Sequence, residues 1–149
     1  MLNKNFRDML SALNDSGAEY LVVGAYAVGT YLPPRATGDL DIWVRPTKEN
    51  AAKVWQALVQ FRVPRRDLIL EDLSTPEMIF RFGIPPQRID LLTSITGVGF
   101  DEAWSGRNEA SIGGLSVPVL GRAQLLQNKR ATGRPKDLAD VAYLEQSKY

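Results

Sequence analysis

Cysteine and histidine are both missing from the 149 residues. The first absence removes disulfides, thiolate nucleophiles and cysteine-based zinc sites; the second removes the commonest neutral-pH base and imidazole metal ligand. Neither sign of charge is in excess. The 18 Lys and Arg stand against 17 Asp and Glu, so no whole-chain field favours nucleic acid or a membrane surface. No run approaches the ~20 apolar residues of a membrane span, and Met1 to Asp8 has no apolar stretch behind its charges. A soluble cytoplasmic protein with no membrane partner is therefore expected. What remains for chemistry is carboxylates, hydroxyls, amines and guanidiniums. A hydrophobic fraction of 44% suffices for one core, so a single domain over residues 1–149 is expected.

Periodicity supplies the outline. Leu2, Phe6, Leu10 and Leu13 recur at helical spacing before the stop Asn14-Asp15-Ser16-Gly17. Tyr20 to Val23 is a buried strand, broken by Gly24, with a helix starting at Ala25 and ending at Pro33-Pro34. Asp39 to Val44 alternates as a second strand, and Thr47 caps a helix whose stripe is Ala51, Val54, Trp55, Leu58 and Val59. Residues 61–76 give no clear pattern. Met78 to Phe82 and Arg88 to Leu92 are two strands joined by Gly83-Ile84-Pro85-Pro86, and Glu109 to Val119 folds as a hairpin around Gly113-Gly114. The tail from Arg122 is helical with an interruption near Gly133. The fold class is thus α/β (α+β), a small mixed, partly antiparallel sheet flanked by helices. Trp43, Trp55 and Trp104 serve packing.

Strand alternation puts Asp39 and Asp41 on one side, with Leu40, Ile42 and Val44 on the other. Two like charges so close, between apolar neighbours, repel unless a cation lies between them. With oxygen ligands alone, that cation is Mg²⁺ or Mn²⁺, and Mg²⁺ completes its shell with water and substrate phosphates. Asp90 stands alone among apolar residues on its own strand and is the third candidate ligand, or a general base. Gly24 and Ala25 open a helix whose free N–H groups suit phosphate, and Arg35 and Thr37 lie just upstream as further phosphate donors. The run Asn128 to Lys136, which includes Lys129, carries four basic residues and no acid. Asp-x-Asp alone also fits a solvated strand edge, the basic run a solvated helix end, and Lys136-Asp137 a weak local ion pair.

Val22-Val23-Gly24-Ala25, Arg35-Ala36-Thr37-Gly38-Asp39-Leu40-Asp41-Ile42 and Arg88-Ile89-Asp90-Leu91-Leu92 together resemble the nucleotidyltransferase superfamily with the polymerase-beta-like core. The likeness runs from about Tyr20 to Tyr143 and is nearest the minimal toxin–antitoxin and abortive-infection type. It implies metal ligation and catalysis by Asp39, Asp41 and Asp90, and nucleotide contact at Gly24, Ala25, Arg35, Thr37 and Lys129. Ala25 stands where that family usually has Gly or Ser, so a hydroxyl for the triphosphate is lost while the backbone donors remain. The expected activity is transfer of a nucleoside monophosphate from an NTP such as ATP to a hydroxyl of a protein or tRNA, the partner being a cognate toxin or antitoxin encoded nearby. The alternative is an inactive module of the same fold that binds a partner protein or a nucleotide.

Overall fold

The computed structural model describes residues 3–32 and 38–146. Phe6, Met9, Leu10 and Leu13 form the buried face of α1 (Lys4–Ser16), which Gly17 ends in a left-handed conformation at φ 73°. The next elements are β1 (Tyr20–Val23), the five-residue α2 (Gly24–Val28) and β2 (Leu40–Val44). The capped helix is α3 (Lys48–Phe61), where the Thr47 side chain accepts from the Asn50 N–H. The stretch without a sequence pattern contains a 3-10 turn at Leu70–Ser74. There follow β3 (Ile79–Phe82), β4 (Ile89–Leu92), α4 (Phe100–Ser105), the hairpin β5 (Asn108–Ile112) and β6 (Leu115–Val119), α5 (Arg122–Thr132) and α6 (Pro135–Gln146).

One sheet of order β3-β4-β2-β1-β6-β5 carries the molecule. β1 pairs β2 antiparallel, whereas β2 pairs β4 and β1 pairs β6 in parallel. The mixed sheet expected from sequence is therefore present. Its two faces are unlike. Tyr20, Val22, Leu40, Ile42, Val44, Ile89 and Leu91 point to one side and are almost wholly buried. There α1 and α3 cover them: the Tyr20 hydroxyl donates to Asn14 of α1, and Phe61 of α3 meets Phe82 of β3 at 6.2 Å between ring centres. Burying a Leu or Ile side chain in such a layer contributes about 1.5–3 kcal/mol, and this apolar layer holds the fold together.

The opposite face carries Val23, Asp41, Trp43, Asp90, Leu92 and Arg81. α4 covers only part of it, with Phe100 edge-on to Trp43 at 5.0 Å. α5 is tied in from the side, since Asn128 and Gln127 donate to the carbonyls of Thr96 and Gly97. No helix among the described residues is long and apolar enough to cross a membrane.

Candidate active site

Because β2 and β4 run parallel in register, Asp41 lies directly beside Asp90, and Asp39 sits immediately before β2. The three predicted acids therefore gather on the partly covered face. Arg88, two residues before Asp90, projects to the same side. Its Nε donates to Asp90 Oδ1 at 2.8 Å and its Nη2 to Asp90 Oδ2 at 3.2 Å. The same Nη2 lies 3.3 Å from Asp39 Oδ2, and the Arg88 backbone N–H donates to Asp39 Oδ1 at 3.1 Å. Arg81, opposite Asp90 on β3, adds a long contact of 3.4 Å.

Asp41 is treated differently. Among the described residues it has no hydrogen-bond or ion-pair partner. Burial pushes its pKa up to about 6, the negative charges of Asp90 and Asp39 add to the rise, and Arg88 and Arg81 only partly oppose it. Gly24 explains how Asp41 fits at all. At φ 67° it favours glycine, and a Cβ there would stand 2.2 Å from Asp41 Oδ2.

A cavity of about 380 Å³ opens beside this acid, with Gly24, Ala25 and Asp41 on one wall and Lys129, Arg134 and Lys136 on the other. That volume lies within the range of small-ligand sites. The far wall is braced by a second ionic cluster. Lys129 Nζ lies 3.1 Å from Asp137 and 3.0 Å from Asp140, and Asp137 also accepts from Thr132 and Arg134, both at 2.7 Å. Burial raises the Asp137 pKa, but the hydrogen bonds from Thr132, Arg134 and Lys129 outweigh it and hold the carboxyl down at about 2.

The structure thus brings Gly24, Ala25, Asp41 and Lys129 to one cavity and sets Asp39 and Asp90 beside Asp41. Arg35 and Thr37 lie outside the described residues. Lys129 lines the cavity with its charge matched by two buried acids. In place of the weak local pair with Lys136 that the sequence also fits, Asp137 turns inward to Lys129 and Arg134. Sequence reasoning assigned no role to Arg88, Arg81, Asp137 or Asp140. Parity flags Arg88, and the i to i+3 step flags Arg134 with Asp137, but Lys129 with Asp137 spans the turn at Gly133 and has no such signal.

No family model matches this sequence, and no curated protein matches it. Solved structures do. The chain is similar to a presumed nucleotidyltransferase of Thermotoga maritima, with a TM-score of 0.60, 14% identity and coverage of 95% of this chain and 88% of that one. It is also similar to the lincosamide antibiotic adenylyltransferase LnuA with lincomycin bound, with a TM-score of 0.55, 16% identity and 97% of each chain covered. The chain therefore has the nucleotidyltransferase fold.

Proposed function

We propose that the chain is a nucleotidyltransferase that moves a nucleoside monophosphate from an NTP to an acceptor hydroxyl, using Mg²⁺ or Mn²⁺ held by Asp39, Asp41 and Asp90. The observation that carries this reading is the convergence of those acids on the open face of a nucleotidyltransferase-fold sheet, beside a cavity walled by Lys129, Arg134 and Lys136. The donor set fits a hard cation, since it offers carboxylate oxygens alone and Asp41 has no hydrogen-bond or ion-pair partner among the described residues. Among the described residues no three acids already form a cation cage, which is consistent with Arg88 lying between Asp39 and Asp90.

In this reading the cavity takes the nucleotide. Arg134 and Lys136 face its phosphates, Lys129 shapes the wall, and the Gly24-Ala25 backbone admits close approach. Arg35 and Thr37 serve as further phosphate donors. The acceptor oxygen bonds to the α-phosphorus as the bond to pyrophosphate breaks, and Asp90 takes the hydroxyl proton. A divalent cation, when bound, supplies neutralisation of the charge that develops on the phosphates. The acceptor is a hydroxyl of a protein or a tRNA, with a cognate toxin or antitoxin as partner. Support for that choice is the sequence resemblance, and the near-zero net charge favours a protein over tRNA.

The test is a thermal-shift titration with each NTP, with and without Mg²⁺, followed by a transfer assay that includes lincomycin among the acceptors. Ligand at ~100 times its dissociation constant adds about 2.7 kcal/mol, or roughly 5–10 °C for a domain of this size. A Mg²⁺-dependent rise lost in Asp39→Asn/Asp41→Asn supports the reading. A flat response to every NTP removes it and leaves a binding module without catalysis. That second reading is favoured by the ion pairs that Arg88 and Arg81 already make with the acids.

A further inference from the structure

Resting on the proposed cation site, we propose that Arg88 is a resident counter-ion: its guanidinium occupies the seat between Asp39 and Asp90, keeps free divalent cations out, and leaves when a cation arrives with a nucleotide. Three contacts hold it there, at 2.8 and 3.2 Å to Asp90 and 3.3 Å to Asp39. These are oxygens of two of the three acids assigned to the cation, so a cation bound through Asp39 and Asp90 would compete with the guanidinium for them. The planar fork of arginine suits this seat, because it grips both oxygens of Asp90 while the same Nη2 also meets Asp39, a bidentate geometry that a point-charge ammonium on lysine does not reproduce.

Arg88 also has a way out. Its side chain is 31% exposed and sits on the partly covered face. By contrast, Lys129 between Asp137 and Asp140 is 10% exposed in its side chain, with both acids buried. Arg81 is a poor substitute, being 57% exposed with one contact at 3.4 Å. Asp41 lies outside the fork, whose contacts go to Asp90 and Asp39. A free cation must therefore expel Arg88 in exchange for hydrated ligands. A cation carried by an NTP brings phosphate oxygens for which Arg88 does not compete, and these tip the exchange. The coupling is reciprocal: a nucleotide that helps a cation displace Arg88 is itself bound tighter, by the same factor, once the cation is in place.

The experiment is a Mn²⁺ titration of the nucleotide-free protein, following free Mn²⁺ by electron paramagnetic resonance, for wild type, Arg88→Gln, Arg88→Lys and Arg81→Gln. The expected order is Arg88→Gln at least tenfold tighter than wild type, Arg88→Lys between the two, and Arg81→Gln within threefold of wild type. Melting in EDTA supplies a second measurement, with Arg88→Gln below wild type and recovering more than wild type when Mn²⁺ is added. If Arg88→Gln fails to fold, Arg88→Lys carries the test, because it keeps the charge and gives up only the bidentate fork on Asp90. Mn²⁺ binding no tighter in Arg88→Lys or Arg88→Gln than in wild type overturns the resident counter-ion while leaving the cation site standing. An equal gain in Arg81→Gln also overturns it, by tracing the effect to general charge. Binding of Mn²⁺ to no folded variant, with or without NTP, removes the cation site and this inference together.

Discussion

Two clusters of carboxylates meet at one cavity, one through Asp137 and Asp140 and the other through Asp41, and they are built on opposite terms. On the α5–α6 wall, Asp137 and Asp140 share Lys129, and Asp137 takes further hydrogen bonds from Thr132 and Arg134 until its pKa falls to about 2. On the sheet wall, Asp39 and Asp90 share Arg88, but Asp41 has no partner among the described residues and its pKa rises to about 6. The first arrangement contributes stability, because each buried charge is matched. The second holds one charge in an unfavourable place, as a site kept for an incoming ligand must. Carboxylates alone are thus no guide to function; the satisfaction of their charge is.

The largest expected effect breaks the sheet wall. Asp41→Asn should lower nucleotidyl transfer at least ~10³-fold, equivalent to about 4 kcal/mol of transition-state stabilisation, with melting unchanged or higher. Pyrophosphate release under saturating NTP checks it, and retained turnover would sink the catalytic reading. The matching change on the other wall, Asp137→Asn, should do the reverse. Removing one partner of a buried pair costs about 3–4 kcal/mol, so melting should drop by roughly 10 °C. A drop under 3 °C would mean that the Lys129 cluster is solvated and that the two walls do not differ.

A smaller effect probes why Asp41 sits where it does. Gly24→Ala imposes a left-handed conformation on alanine and a contact of 2.2 Å with Asp41 Oδ2, for a cost of about 2–3 kcal/mol. In an Asp41→Ala background the carboxylate is gone, and the cost should fall to about 1 kcal/mol for the backbone alone. Chemical denaturation of the four proteins gives the coupling. Additive behaviour would show that Gly24 serves the turn and not the acid.

Much of this was legible in the sequence for a physical reason. Side-chain alternation is fixed by the strand, so Asp39 and Asp41 were assigned to one side as soon as the strand was recognised, and the in-register parallel pairing with β4 adds Asp90. The Gly17 stop and the Thr47 cap are likewise local chemistry. What the sequence withheld is tertiary. Arg88 belongs to the Arg88-Ile89-Asp90-Leu91-Leu92 motif, but its partnership with Asp39 spans 49 positions and exists only once β2 and β4 align. Asp137 beside Lys136 suggested a neighbourly pair, and the turn at Gly133 instead folds α6 back so that Asp137 reaches Lys129. Residues 61–76 lacked a period because their one element is a 3-10 turn too short to show it.

The smallest expected effect separates the walls by pH alone, in EDTA. Asp137 has a folded pKa near 2, below its ordinary 3.8, so the stability it contributes is complete above about pH 4 and is lost as pH falls toward 2. Asp41 has a folded pKa near 6, above the same 3.8, so the folded protein binds the extra proton between those values. Stability attributable to Asp41 is therefore present below about pH 4 and is lost as pH rises through 6. A shift of about two units corresponds to roughly 3 kcal/mol at most, and solvent screening of a partly exposed group reduces this to about 1 kcal/mol. Wild type should then gain stability from pH 2 to 4 and lose some of it from pH 4 to 6. Asp41→Asn should keep the rise, flatten the fall and melt about 2–4 °C above wild type at pH 7. If instead the two proteins lose stability in parallel between pH 4 and 6, Asp41 does not carry an unfavourable charge, and the sheet wall is as well satisfied as the wall it faces.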